Sequence, residues 1–167
     1  MTDFPILKKN IKLAMLGMTE GNGHPYSWSI IINGNYNAEA LAQCPYAAIK
    51  DYIAKQPVET LGIEGVKVTH VWTDDPNDAK LVSKVAYVPH VVQKPEDVIG
   101  EVDAVLIATD IGSEHVERCK PFIDAGIPIF VDKPLCDNQN DLKIFSDWMK
   151  EGKLFISSSA MRYAKEF

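Results

Sequence analysis

A basic surplus is the first thing this sequence lacks. Lys and Arg number 17 against 23 Asp and Glu, a net charge of −6. With no cationic excess to neutralise phosphates, a nucleic-acid partner is not expected. Cysteine is scarce as well. Cys44, Cys119 and Cys136 are scattered, odd in number and free of any Cys-x-x-Cys pair. That excludes a disulfide framework and a zinc site of that spacing, and free thiols fit a reducing cytoplasm. No apolar run approaches the roughly 20 residues that cross a bilayer, so no membrane partner is expected. The start, Met1 to Asn10, lacks the basic opening and long apolar core of a signal peptide. Repeats and low-complexity tracts are missing too. What remains is 167 residues, 46% hydrophobic, the size of one domain with one real core.

Ile11 to Met18 is apolar apart from Lys12 and reads as a strand buried on both faces, as in a parallel sheet. Gly17-Met18-Thr19-Glu20-Gly21-Asn22-Gly23-His24 follows, then Pro25 at a helix start and a helix over Tyr26 to Ile32, stopped by Asn33-Gly34-Asn35. Strand, glycine loop and helix form the context of a dinucleotide fingerprint, whose loop N–H groups and helix N-terminus hold a pyrophosphate. The register is irregular. Thr19 and Asn22 stand where the second and third glycines belong, and Gly21 and Gly23 flank the latter place. A tight strand-to-helix turn without a ligand accounts for the loop equally well. Residues 35–65 read as an insertion. It carries a helix from Tyr46 to Lys55 with Ala47, Ala48, Tyr52 and Ile53 on one side, and its expected role is to cover a sheet edge or a partner subunit.

Val66 to Thr73 is the second strand, ending at Asp74-Asp75-Pro76. An acid at this strand end can accept both hydroxyls of an adenosine ribose, and no Arg follows Asp74 to receive a 2′-phosphate, so NAD is favoured over NADP. Asp74 lies well beyond the usual 20-residue offset, a difference the insertion would have to explain. A plain turn with a helix cap competes with this reading. His70 is expected to be a packed histidine. A short helix over 77–83, a third strand within Val85 to Val92 and a brief helix at Pro95 come next. Asp103 to Ala108 is a strong buried strand, and Thr109-Asp110-Ile111-Gly112 is the loop at its end. Ser113 is expected to cap a helix striped by Val116, Cys119 and Ile123, which Pro121 should kink or split. Ile129-Phe130-Val131 is a short buried strand ending on Asp132-Lys133-Pro134. In an open parallel sheet, ligands bind beyond the carboxyl ends of strands, so Lys133 is placed to meet one. A surface ion pair between Asp132 and Lys133 is the competing reading. Asp137 or Asn138 caps a helix expected to bury Leu142, Phe145, Trp148 and Met149, and Leu154 to Ile156 is a last strand. The alternation predicts an α/β fold, a doubly wound, mostly parallel sheet of about six strands with helices on both faces.

In the order of these features the chain resembles the amino-terminal half of the Gfo/Idh/MocA oxidoreductases. The resemblance rests on the glycine loop, Asp-Ala-Val-Leu-Ile-Ala-Thr at 103–109, His115 with Ala125-Gly126 after it, and Asp132-Lys133-Pro134, where the family has Glu-Lys-Pro. It implies an NAD(P)-dependent dehydrogenase acting on a sugar, polyol or related compound. Lys133 would then lie near the nicotinamide and the reacting oxygen as the catalytic residue. Gly17, Met18, Thr19, Gly21, Asn22, Gly23, Asp74, Thr109, Asp110, His115, Asp132 and Pro134 would line the cofactor, with Asp110 where the family often has Pro. No metal site is implied. The family's second domain, which carries much of the substrate pocket and usually the oligomer interface, has no counterpart in this sequence, so self-association over uncovered apolar surface is expected. A non-catalytic dinucleotide-binding or regulatory module is the alternative, and a methyltransferase-like fold a third, in which Asp132-Lys133-Pro134 has no natural place.

Overall fold

The computed structural model describes residues 10–163. The reading of the amino terminus falls on residues 1–9 and so lies outside them. Six strands form one sheet: β1 (Ile11–Leu16), β2 (Val66–Trp72), β3 (His90–Val91), β4 (Ala104–Ile107), β5 (Ile129–Val131) and β6 (Phe155–Ser157). Their order is β3-β2-β1-β4-β5-β6 and every pairing is parallel. All carboxyl ends therefore share one rim. The order reverses between β1 and β4, which makes that rim position the topological switch point.

The helices are α1 (His24–Asn33), α2 (Ala38–Ala42), α3 (Ala47–Lys55), α4 (Pro76–Ala86), α5 (His115–Asp124) and α6 (Gln139–Lys150). Alternation along β1 divides the interior in two. Met15 joins Tyr26 and Ile30 of α1 and Val82 and Val85 of α4 on one face. Ala14 and Leu16 join Cys119 and Phe122 of α5 and Phe145 of α6 on the other. Each fully buried large side chain among these stabilises the fold by about 1.5–3 kcal/mol. Asn33 ties the end of α1 to its neighbours. Its side chain donates to the carbonyls of Val68 (3.1 Å) and Ala86 (3.0 Å) and accepts the N–H of Val68 (2.8 Å), joining helix, strand and α4. Gly34 then takes the left-handed conformation (φ +73°) that closes the helix.

Five expectations are corrected. The insertion does not cover a sheet edge; α2 packs on α4, and α3 packs on α1 and the glycine loop. The inner side of α3 is Tyr46, Ile49 and Ile53, one and two helical turns along, while Ala47, Ala48 and Tyr52 are exposed. Pro121 neither splits nor ends α5, which runs through it. Only the bond from residue 121 to the Glu117 carbonyl is forfeited, and Ser113 lies within a preceding 3-10 turn, capping nothing. On α6, Phe145 is buried, but Leu142 (55% exposed) and Met149 (66%) face outward. The helix rests on the sheet by a narrow strip, so the edges of its apolar stripe stay uncovered.

Candidate functional site

The glycine loop, Asp74, Thr109 and Asp132 meet on the common rim. Gly17 ends β1 with φ +84°, and a Cβ there would fall 2.7 Å from Cγ2 of Thr109. The lack of a side chain is what lets the β1 and β4 ends close on each other. The N–H of Met18 donates to Oδ2 of Asp74 (3.1 Å), fastening the loop to the end of β2. Asn22, at the place of the third fingerprint glycine, is buried. Its amide donates to the Ala108 carbonyl (3.2 Å) and to Oδ2 of Asp132 (3.2 Å), and its Oδ1 accepts the N–H of His24 (3.0 Å). Asn22 is thus a tie between the loop, β4 and β5. Beneath the loop, Gly23 is packed by Tyr46 and Ile49 of the insertion, a Cβ there falling 2.6 Å from the Tyr46 ring.

Asp132 is 2% exposed, and its partner is a residue that sequence reading passed over. Nδ1 of His24 lies 2.6 Å from Oδ2 of Asp132, while Oδ1 accepts the N–H of Lys133 (2.7 Å). Burial alone would raise this carboxyl. The His24 hydrogen bond and charge, the Lys133 N–H and the Lys133 charge outweigh it and hold Asp132 below the usual carboxylate range. The His24 ring stacks on Trp28 at 4.5 Å. Its Nε2 has no hydrogen-bond partner among the described residues. Lys133 is exposed, and among the described residues it forms no ion pair, so the pairing of Asp132 with the Lys133 ammonium is replaced by Asp132 with His24. His24, Asp132, Lys133, Ser158 and Tyr163 line a cleft of about 440 Å³ backed by Trp28, Leu106 and Phe130. The one sequence signal for His24 was its place at the helix start, a turn before Trp28.

A second cleft, of about 350 Å³, lies at the switch point between Gly17, Trp72, Pro95, Glu114, Arg118 and Pro121. Here the inference that no arginine accompanies Asp74 is corrected. Arg118 reaches over from α5, and its Nη2 donates to Oδ1 of Asp74 (2.8 Å), while Nε bonds Oε2 of Glu114 (2.9 Å). The Glu114–Arg118 spacing was legible in the sequence; its approach to Asp74, 44 residues away, was not. Burial would lower the Arg118 pKa, but both carboxylates act against that and hold it above its ordinary value.

His115, expected to line the cofactor, is placed inside the fold. It is completely buried, with Nδ1 3.1 Å from the Leu135 carbonyl and Nε2 3.0 Å from the Thr109 carbonyl and 3.2 Å from the Thr109 hydroxyl. It clamps the β4 loop to the segment after β5, and no ring nitrogen is left for a ligand. Thr109 is likewise buried as packing against Gly17. Asp110 is half-buried and lines neither cleft. Pro134 is exposed, next to Lys133 through a cis peptide bond.

A dinucleotide fits the chemistry of the loop. Oγ1 of Thr19 is shielded from solvent and has no hydrogen-bond partner among the described residues. Among the described residues the N–H groups of Thr19 and Glu20 also lack partners within the chain, which leaves three donors on a loop whose role would be to hold phosphate oxygens. No group of three metal-ligating side chains occurs among the described residues, and no helix there is long and apolar enough to cross a membrane.

Comparison with known proteins agrees with this fold. Residues 45–158 match the model of an oxidoreductase family with an NAD-binding Rossmann fold, so the irregular glycine loop lies outside the matched part. No curated protein matches the chain. Among solved structures, myo-inositol 2-dehydrogenase of Lactobacillus plantarum superposes at TM-score 0.62 with 20% identity, over 94% of this chain and 38% of that one. Scyllo-inositol dehydrogenase of Lactobacillus casei, with NAD(H) and scyllo-inositol bound, does so at 0.64 with 17% identity, over 94% and 38%. An oxidoreductase of Agrobacterium radiobacter, in complex with NAD+, L-tartaric acid and magnesium, gives 0.58 with 14% identity, over 89% and 35%. At these identities the likeness is one of fold, and the chain spans little more than a third of each structure's length. With the family match extending from the insertion to the end of β6, the chain belongs to the Gfo/Idh/MocA oxidoreductase family, through its NAD-binding Rossmann domain.

Proposed function

We propose that this chain is the cofactor-binding half of an NAD-dependent dehydrogenase acting on a sugar, polyol or related hydroxyl compound. The observation that carries the reading is the cleft at the end of β5. There, exposed Lys133 and an Asp132-held His24 open onto the same rim as the glycine loop and Asp74. The inositol bound to the Lactobacillus casei structure supports the substrate class. Bound NAD would supply the hydride acceptor. The chain's own residues then have distinct tasks. The Lys133 ammonium stabilises negative charge developing on the substrate oxygen. Asp132 fixes the His24 ring by Nδ1 so that Nε2 is left to take the hydroxyl proton. Asp74 receives the ribose hydroxyls. NAD is favoured over NADP because the group at the end of β2 that would meet the ribose is the Asp74 carboxylate, which accepts hydroxyls and repels a 2′-phosphate. Three scattered cysteines without a pairing pattern suit a reducing, cytoplasmic setting.

A titration of the chain with NADH, followed by its fluorescence, tests the cofactor part. In the whole protein, Lys133→Ala is expected to lower single-turnover hydride transfer roughly a hundredfold, about 3 kcal/mol of lost oxyanion stabilisation, and to leave NADH affinity unchanged. Normal transfer in a variant of lowered melting temperature would reduce Lys133 to a structural residue. One observation favours a non-catalytic dinucleotide-binding module instead: the insertion seats Tyr46 and Ile49 against Gly23 of the loop. NADH binding by the whole protein, with no hydride transfer to any polyol or sugar, would select that module.

A further inference from the structure

In a dinucleotide fold the diphosphate is held by the N-terminus of the helix after β1. In this chain that helix end is closed. The N–H of His24 is taken by Oδ1 of Asn22 (3.0 Å), Pro25 has none, and the N–H of Tyr26 is directed to the Gly23 carbonyl (3.1 Å). An anion at the rim must find donors elsewhere. The loop offers Thr19 and Glu20, neither of them charged as a donor. The guanidinium that lines the adjoining cleft belongs to Arg118.

We infer that Arg118 anchors the cofactor's diphosphate in place of the closed helix end, an inference that rests on the dinucleotide-binding reading. Three observations carry it. The guanidinium is held in position before any ligand arrives, by Nε and Nη2 to Glu114 and by Nη2 to Asp74. Nη1 takes no part in those bonds. It is also the guanidinium atom nearest the glycine loop, 3.4 Å from where a Cβ of Gly17 would lie. The cleft wall around it, Trp72, Pro95 and Pro121, is apolar enough to take a flat base beside the charged group. Arg118 therefore bridges two places along the rim: Asp74, which would receive the ribose, and the loop at Gly17, where the phosphate attached to that ribose would follow. A rigid fork loses little freedom on binding and forms charge-assisted bonds to phosphate oxygens.

The experiment is calorimetric titration of the chain, as wild type and as Arg118→Gln, with NADH, ADP and adenosine. Loss of the charged donor is expected to weaken NADH and ADP about 10- to 100-fold, the scale of a charge-assisted hydrogen bond. Adenosine, which has no phosphate, should bind both forms alike. Equal ADP affinity in the two proteins would overturn the role of Arg118 and leave the cofactor reading standing. An equal loss for adenosine would also overturn it, because the effect would then be one of pocket shape. A wild type that binds neither NADH nor ADP would remove both the cofactor reading and this inference. Should Arg118→Gln fail to fold, Glu114→Gln decides. With one carboxylate neutralised, the guanidinium charge is less compensated and ADP should bind more tightly; unchanged ADP affinity would overturn the proposal.

Discussion

Replacing Asp132 by Ala removes the one acceptor that three donors share. The N–H of Lys133, Nδ1 of His24 and Nδ2 of Asn22 all converge on its carboxylate, at 2.7, 2.6 and 3.2 Å. Leaving a buried donor without its acceptor costs about 1–3 kcal/mol, and three donors lose theirs here, so the total runs from about 3 kcal/mol upward. His24 is 32% exposed, so it can turn to water and recover part of that cost. Asn22 keeps its bond to the Ala108 carbonyl. The lower end, about 3 kcal/mol, is therefore expected. For a domain of this size that corresponds to a fall in Tm of roughly 6–12 °C. Asp132→Asn retains one oxygen and should lose about half as much. Urea unfolding followed by far-UV circular dichroism measures both. The pH dependence adds a signed check. The folded Asp132 is held below its ordinary pKa, so its contribution is present in full above the unfolded value of about 3.9. It is lost as pH falls from there through the folded value. The gap between wild type and Asp132→Asn should be constant near neutrality and close below about pH 4. An Asp132→Ala variant within about 1 kcal/mol of wild type at pH 7, or a gap that widens in acid, would refute the view that this carboxylate holds the loop to β5.

Gly23→Ala should destabilise by about 1–3 kcal/mol, since its methyl would meet the rings and branches of Tyr46 and Ile49; urea unfolding measures this, and a neutral result would mean that α3 does not press on the loop. Leu154, Ile156, Met161 and Tyr163 lie exposed around the β6 end, so sedimentation velocity at high concentration should detect self-association of the chain; a clean monomer would refute it.

The doubly wound sheet was legible because its signals are local. Ile11 to Leu16 apart from Lys12, Ala104 to Ile107 and Ile129 to Val131 are apolar on both faces, as suits strands buried between two helical layers. Pro25, Gly34 and Asn138 set helix ends by backbone chemistry that needs no distant partner. The shared rim followed from the same alternation, since parallel strands must all point one way. The site's wiring was not legible, because it is made of long-range pairs. His24 meets Asp132 across 108 residues, and Arg118 meets Asp74 across 44. Nothing in a window of sequence distinguishes His24, with one nitrogen held and the other without a partner among the described residues, from His115, with both engaged; the fold alone decides which imidazole faces a cleft. The same holds for Asn22. At a glycine position it reads as a defect in a phosphate loop, and only the closing of β1, β4 and β5 onto one rim turns its side chain into the tie that joins them.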